Sequence, residues 1–326
     1  MKLAKWITFI ALLLILGACA TASIMMTVKR PAEVNMKNFK KIAIGDLTGG
    51  TGTHSNDLMD MFTTKLVSSN YFEAVVDRQN LKGILSEHNL SSSGLVDENS
   101  SAQLGQFLGA AALVFGRIQT DKYDETLTYK DVTRTDKNKN KYNVRVYTRT
   151  GTYTIAVHVQ ISDVQTAKIV GVKDLTSAIY DTKSAENQEP EGIDKSSLYT
   201  IAVTKISDQF MKLVVPYEVT VKAQFETDSK NLPELAMAVK QIQIGETNEA
   251  IKMFTEASQK PELLPKIKAK AFYDLGLIQM YVGQYEDSIT NLKEAYKLNP
   301  VTKYMTAINT AKQEKAAADK LKEQTN

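Results

Sequence analysis

Between residues 41 and 226 the hydrophobic positions change period several times, and each change marks an element. Ile42, Ala43 and Ile44 form a short apolar strand leaving through Gly45. The glycine-rich turn 49–53 then leads to a helix opening near Ser55, with Leu58, Met61, Phe62, Leu66 and Val67 on one face at helical spacing. Residues 71–76 favour a strand, and Asp77 caps a helix running through Leu81, Ile84 and Leu85. Ser100 or Ser101 opens a short helix over Leu104, Phe107 and Leu108, and residues 111–118 read as a buried strand. Residues 152–161 alternate strictly, setting Tyr153, Ile155, Val157, Val159 and Ile161 against Thr154, Ala156, His158 and Gln160. A turn follows at 163–168, Ile169 begins the return strand, and 198–215 is a long amphipathic helix. Val219, Val221, Ala223 and Phe225 then make one face of a half-buried closing strand. This order predicts an α/β fold, a mixed sheet with flanking helices.

Beyond residue 230 the period is helical, and it repeats. Phe272, Leu275, Gly276, Gly283, Tyr285, Ile289, Leu292, Ala295, Leu298 and Pro300 recur on a pattern whose upstream copy is Met237, Ala238, Gly245, Ala250, Ile251, Phe254 and Ala257. The pattern resembles the tetratricopeptide repeat family. Gln279 stands where that family usually has an aromatic residue and Ser288 where it has alanine, and Gly245 and Gly283 are 38 positions apart where about 34 is usual. Gly276 and Ala295 let two helices approach, and 304–324 reads as a capping helix, so 233–326 is an all-α helix-pair module. The resemblance puts Tyr273, Leu277, Met280 and Tyr281 on first-helix positions lining a peptide-binding groove. Packing against the adjacent helix is the competing reading of the same four residues, because two repeats are fewer than such arrays need.

The start of the chain sets location. Lys2 and Lys5 precede a run, 6–16, that is apolar apart from Thr8 and too short for a stable membrane helix, which needs about 20 residues. Leu16, Gly17, Ala18 and Cys19 close it. These features resemble a bacterial lipoprotein signal, with 1–18 as signal peptide, Cys19 as the acylated residue and 19–36 as a lipidated tether. Ala20 in place of aspartate implies sorting to the outer membrane, facing the periplasm.

The α/β region also carries a resemblance. Residues 41–44, the run 71–78 leading to Leu81 and Leu85, the stretch 109–118 and the turn 163–168 are similar to the CsgG-type curli-assembly lipoprotein family and the related lipoprotein activators of penicillin-binding proteins. The resemblance spans 37–226. A pore-forming relative would need hairpins with lipid-facing apolar rows of about 9 to 11 residues. Here 121–151 carries Lys130, Asp131, Arg134, Asp136, Lys137, Lys139 and Lys141, and 177–197 carries Asp181, Lys183, Glu186, Glu189, Glu191 and Asp194. Both segments read as non-membrane.

Composition narrows the chemistry. The formal charge of +3 falls to +1 once Lys2 and Lys5 leave with the signal, which removes any global case for nucleic acid. The one cysteine allows no internal disulfide. The turn 45–53 lacks both the P-loop lysine and a dinucleotide fingerprint, His54, His88 and His158 are not at metal-ligand spacing, and no nucleophile elbow occurs. No cofactor and no catalysis are expected. The basic tip Lys137, Lys139 and Lys141 reads as a solvated hairpin end, with contact to anionic lipid or cell-wall polymer as the alternative. The expectation is a lipid-anchored periplasmic adaptor of the cell envelope, membrane-bound through Cys19, that takes a protein or peptide partner in its helical module. An outer-membrane secretion channel and a cell-wall enzyme are the rivals, and homo-oligomerisation stays open.

Overall fold

The computed structural model describes residues 21–50, 52–87, 109 and 111–325. The signal, Cys19, His88 and the expected helix over Leu104, Phe107 and Leu108 lie outside the described residues. The chain divides into two compact units, Ala32–Tyr217 and a second made of residues up to Pro31 together with Glu218–Asn326.

Ala32–Tyr217 is built on a five-stranded mixed sheet of order β3-β2-β4-β5-β6. Its strands are β2 (Lys41–Thr48), β3 (Ala74–Val76), β4 (Ala111–Thr135), β5 (Lys141–Asp163) and β6 (Ile169–Glu186). β2 pairs in parallel with β3 and β4, whereas β4, β5 and β6 are successive antiparallel neighbours. Helices α1 (Gly52–Ser69) and α3 (Lys195–Val214) cover one face, with Phe62 and Phe210 stacked 4.1 Å apart over Ile42, Ile44, Val114 and the row Tyr153 to Ile161. A smaller cluster of Ala43, Leu81, Ala111, Leu113 and Val164 lies on the opposite face under α2 (Arg78–Glu87). The expected alternation of β5 holds along its whole inner half, because each second side chain meets the helix layer.

β4 and β5 stay paired from Ala112↔Asp163 out to Thr135↔Lys141, so 121–151 is one long hairpin. Its tip is a turn around Asp136, whose carboxylate accepts from the amides of Asn138 and Asn140, with Lys139 at φ 66. Cross-strand pairs Arg145–Asp131 at 2.8 Å and Arg149–Glu125 hold its register. The second charged segment is not a hairpin: its first part belongs to β6, a loop follows, and α3 begins at Lys195 under the Asp194 cap. The turn 163–168 joins β5 to β6 as expected, closed by Asp163 on the Gln165 amide and the Thr166 hydroxyl.

Among the described residues the second unit holds a two-stranded sheet of β1 (Thr21–Arg30) and β7 (Tyr217–Glu226) with five helices. These are α4 (Glu234–Gln243), α5 (Thr247–Gln259), α6 (Pro265–Tyr281), α7 (Tyr285–Leu298) and α8 (Thr302–Thr325). The turns α4–α5 and α6–α7 are copies of each other. Gly245 (φ 89) and Gly283 (φ 84) take the left-handed position, and the following amides, Glu246 and Gln284, each bond 2.9 Å to the carbonyl five residues back. A side chain on Gly276 would meet Leu292 Cγ at 2.7 Å and the Ser288 carbonyl at 2.9 Å, so the expected close approach of α6 and α7 is real. Both departures from the repeat pattern serve that approach: the Ser288 hydroxyl donates to the Gly276 carbonyl at 2.6 Å, and Asn291 donates to Gln279 at 2.7 Å.

Two boundaries differ from expectation. The segment expected as a tether contains β1, and the closing strand β7 sits with the helices instead of the mixed sheet. The reason is burial: Phe225 and Ala223 are enclosed in the helical core, with Phe225 facing Phe254 at 6.0 Å.

Candidate functional site

The four residues expected to line a groove come together on α6. With Lys222 and Gln224 of β7 and residues of α8 they surround a depression of about 400 Å³. Three of them are nonetheless almost closed off, Tyr273 and Leu277 at 5% exposure and Met280 at 3%, while Tyr281 is half-buried. The Tyr273 hydroxyl donates to the Gln224 carbonyl at 3.1 Å, and its ring stacks on Tyr304 at 4.9 Å beneath the Lys303 ammonium at 4.5 Å. Burial pushes the phenols of Tyr273 and Tyr281 up. Tyr273 is therefore a core residue whose edge reaches the depression, and Tyr281 is the member best placed to meet a ligand. Lys222 is exposed and forms no ion pair among the described residues.

Below this surface lies a buried polar group that helical periodicity does not reveal. Asp274 is fully buried; one carboxylate oxygen accepts from the Glu226 amide at 2.8 Å and the other has no partner. Burial, reinforced by the nearby Glu226 carboxylate, raises its pKa well above the usual carboxylate range. Glu226 in turn pairs with Lys303 at 2.9 Å, and Asp228 with Lys270 at 3.0 Å. Two ion pairs, each of one carboxylate and one ammonium, thus stand beside the buried Asp274 carboxyl. The signal in the sequence is an Asp inside the otherwise apolar stretch 271–278 of α6, and only the tertiary contacts identify its neighbours.

β1 determines how much of the inner helix face is open. It touches α4, α6 and α8, the first helix of each pair and the last helix. Ala22, Ile24 and Met26 pack against the helical core, and Arg30 makes a two-pronged contact with Glu314, its second prong at 2.6 Å. The helix that carries the expected groove residues thus also carries an extended segment of the same chain, although none of that segment's residues lines the depression itself.

In the sheet unit, distant residues form a second polar cluster. His54 Nδ1 lies 2.6 Å from Asp121, whose other oxygen accepts from the Tyr153 hydroxyl at 2.8 Å. His54 also stacks on Tyr199 at 4.2 Å, and the Tyr199 hydroxyl donates to Asp57 at 2.7 Å. His158 pairs separately with Asp174 at 2.8 Å. Among the described residues no three potential ligands gather around a point. The glycine turn has a structural cause: Gly49 (φ 77) and Gly50 (φ 64) lie against β4, where added side chains would come within 2.6 Å of the Ile118 carbonyl and 2.9 Å of its side chain.

Three solved structures share features of this chain. A PelC dodecamer from Paraburkholderia phytofirmans is 13% identical, with a TM-score of 0.29 over 60% of this chain and 99% of that one. A minor lipoprotein from Acinetobacter baumannii is 17% identical, with a TM-score of 0.25 over 54% and 92%. Lipoprotein GNA1162 from Neisseria meningitidis is 10% identical, with a TM-score of 0.28 over 52% and 96%. No curated protein matches the sequence. The family described as curli production assembly/transport component CsgG matches residues 20–188, more than half of the chain. The five-stranded mixed sheet, its helix layers and that match together identify the protein as a member of the CsgG family.

Proposed function

We propose that this protein is a lipid-anchored component of the bacterial envelope, held through Cys19 at the periplasmic face of the outer membrane, that recruits a protein partner with its helical unit. Its role is tethering and docking without bond chemistry. The supporting observation is the convergence of Tyr273, Leu277, Met280 and Tyr281 on one depression beside the exposed cation of Lys222. The two glycine-closed helix pairs favour a tetratricopeptide-type reading of this unit, since they reproduce one turn geometry at two places in the chain. The long hairpin argues against the channel alternative. Its rows carry cross-strand ion pairs and Lys130, and each charge at mid-bilayer costs about 2 to 4 kcal/mol.

The test is affinity capture from solubilised envelope with the full chain and with Tyr281→Ala. The expected result is about tenfold weaker capture of one envelope protein by the variant, at unchanged helicity, because truncating an interface aromatic costs about 1 to 2 kcal/mol or more. Capture unaffected by Tyr281→Ala removes the depression from the interface.

A further inference from the structure

We infer that β1 is a displaceable occupant of the inner helix face, and that the partner's docking element is an extended segment with alternating apolar side chains, which takes the place of β1 beside β7. This rests on the docking reading above and specifies the chemistry of the ligand.

Three observations carry it. First, β1 shows what the face accepts: a strand in which Ala22, Ile24, Met26 and Val28 alternate with Ser23, Met25, Thr27 and Lys29, paired to β7 and laid across α4, α6 and α8. Backbone pairing to an exposed strand supplies affinity in such additions, and alternate side chains supply specificity. Second, β1 is weakly held. None of its ten residues is fully buried, whereas its partner β7 buries Ala223, Phe225 and Glu226. A strand in a two-stranded sheet with no buried side chain belongs to the part of a structure that opens most readily. Third, one specific polar contact stands out at its end, the partly buried fork of Arg30 on Glu314.

Displacement also has a consequence for the anchor. Ala20 is the only residue between Cys19 and β1, so with β1 docked the helical unit sits within about 7 Å of chain from the cysteine. Freeing β1 adds ten residues, or about 33 to 36 Å of reach. Of the tether expected over 19–36, only the part up to Arg30 is then released, in the partner-bound form, while Ala32 and Met36 stay buried in the sheet unit.

The experiment uses the full chain in detergent and a fluorescein-labelled peptide of the sequence 21–30, with a scrambled peptide that loses the alternation as control. The tethered native strand competes at an effective concentration in the millimolar range, so the unaltered chain takes up the peptide weakly. In Arg30→Ala the native strand loses its fork while the added peptide keeps one, and peptide affinity is expected to rise about tenfold. In Glu314→Gln neither strand has the fork, and affinity is expected to stay near that of the unaltered chain. Hydrogen exchange should show β1 amides becoming unprotected on peptide binding while those of β7 stay protected. Peptide uptake equal in all three proteins, equal uptake of the scrambled peptide, or β1 amides as slow as those of α6 throughout would each overturn the inference. Peptide exchange that proceeds as expected while Tyr281→Ala leaves partner capture unchanged separates failure of the docking reading from failure of this one.

Discussion

Replacing Tyr273 with alanine tests whether the depression on α6 is an outer groove or the edge of a core. An exposed groove tyrosine would be removed at little cost to folding. The structure gives a different expectation, because the ring is 5% exposed, stacks on Tyr304 at 4.9 Å and lies under Lys303. Loss of a buried aromatic side chain costs about 3 to 5 kcal/mol, the transfer of its surface plus the cavity left behind. The stacked pair accounts for about 0.5 to 1.5 kcal/mol of that. Tyr273→Phe isolates the hydroxyl, whose bond to the Gln224 carbonyl is worth about 1 kcal/mol. Urea unfolding followed by circular dichroism, with tyrosine fluorescence as a second probe, measures both variants. The order expected is a small loss for phenylalanine and a loss of at least about 3 kcal/mol for alanine. An alanine variant within about 1 kcal/mol of the unaltered protein would refute the core assignment and return Tyr273 to the groove.

Four further outcomes are expected. Gly276→Ala should destabilise the helical unit by about 1 to 3 kcal/mol in thermal melts, although alanine favours a helix by about 1 kcal/mol, because the new methyl meets Leu292 and the Ser288 backbone. Asp274→Asn should flatten the stability profile above pH 4: the folded-state pKa is raised, so the stabilising contribution of Asp274 is complete below its unfolded value of about 3.9 and is lost as pH rises through the folded value. Urea midpoints for both proteins between pH 4 and 9 check this, and parallel profiles would contradict it. Cys19→Ala should leave the body folded and abolish diacylglycerol attachment, as read by membrane fractionation and intact mass. The full chain should give no discrete conductance steps in planar bilayers, because the hairpin 121–151 carries ion-paired charges on its strands.

Much of the local structure is legible without coordinates. The alternation of Tyr153 to Ile161 identifies the inner face of β5 because a strand sends successive side chains to opposite sides. The same rule picks out Ala223 and Phe225 on β7, yet it is silent on which layer receives them. Gly245, Gly276 and Gly283 mark two left-handed turns and one close helix contact, all within a repeat whose partners are near in sequence. β1 was not legible, since its pairing partner β7 lies almost two hundred residues away and its inward side chains are only half-buried. Of the four groove candidates, helical spacing places all on α6 and cannot tell that Tyr304 and β7 close over Tyr273.

The sequence by itself determined the α/β order, the repeated helix pair and the charged character of the long hairpin. These follow from periodicity, turn residues and charge density, which act over a few residues to a few turns. The tertiary structure decided that β1 and β7 join the helices, that only one of the two charged segments is a hairpin, and that Asp274 and Tyr273 are enclosed. Each of those depends on which surfaces meet across long stretches of chain. Burial and pairing between distant elements are set by the competition among all apolar faces at once, and no single segment encodes its outcome.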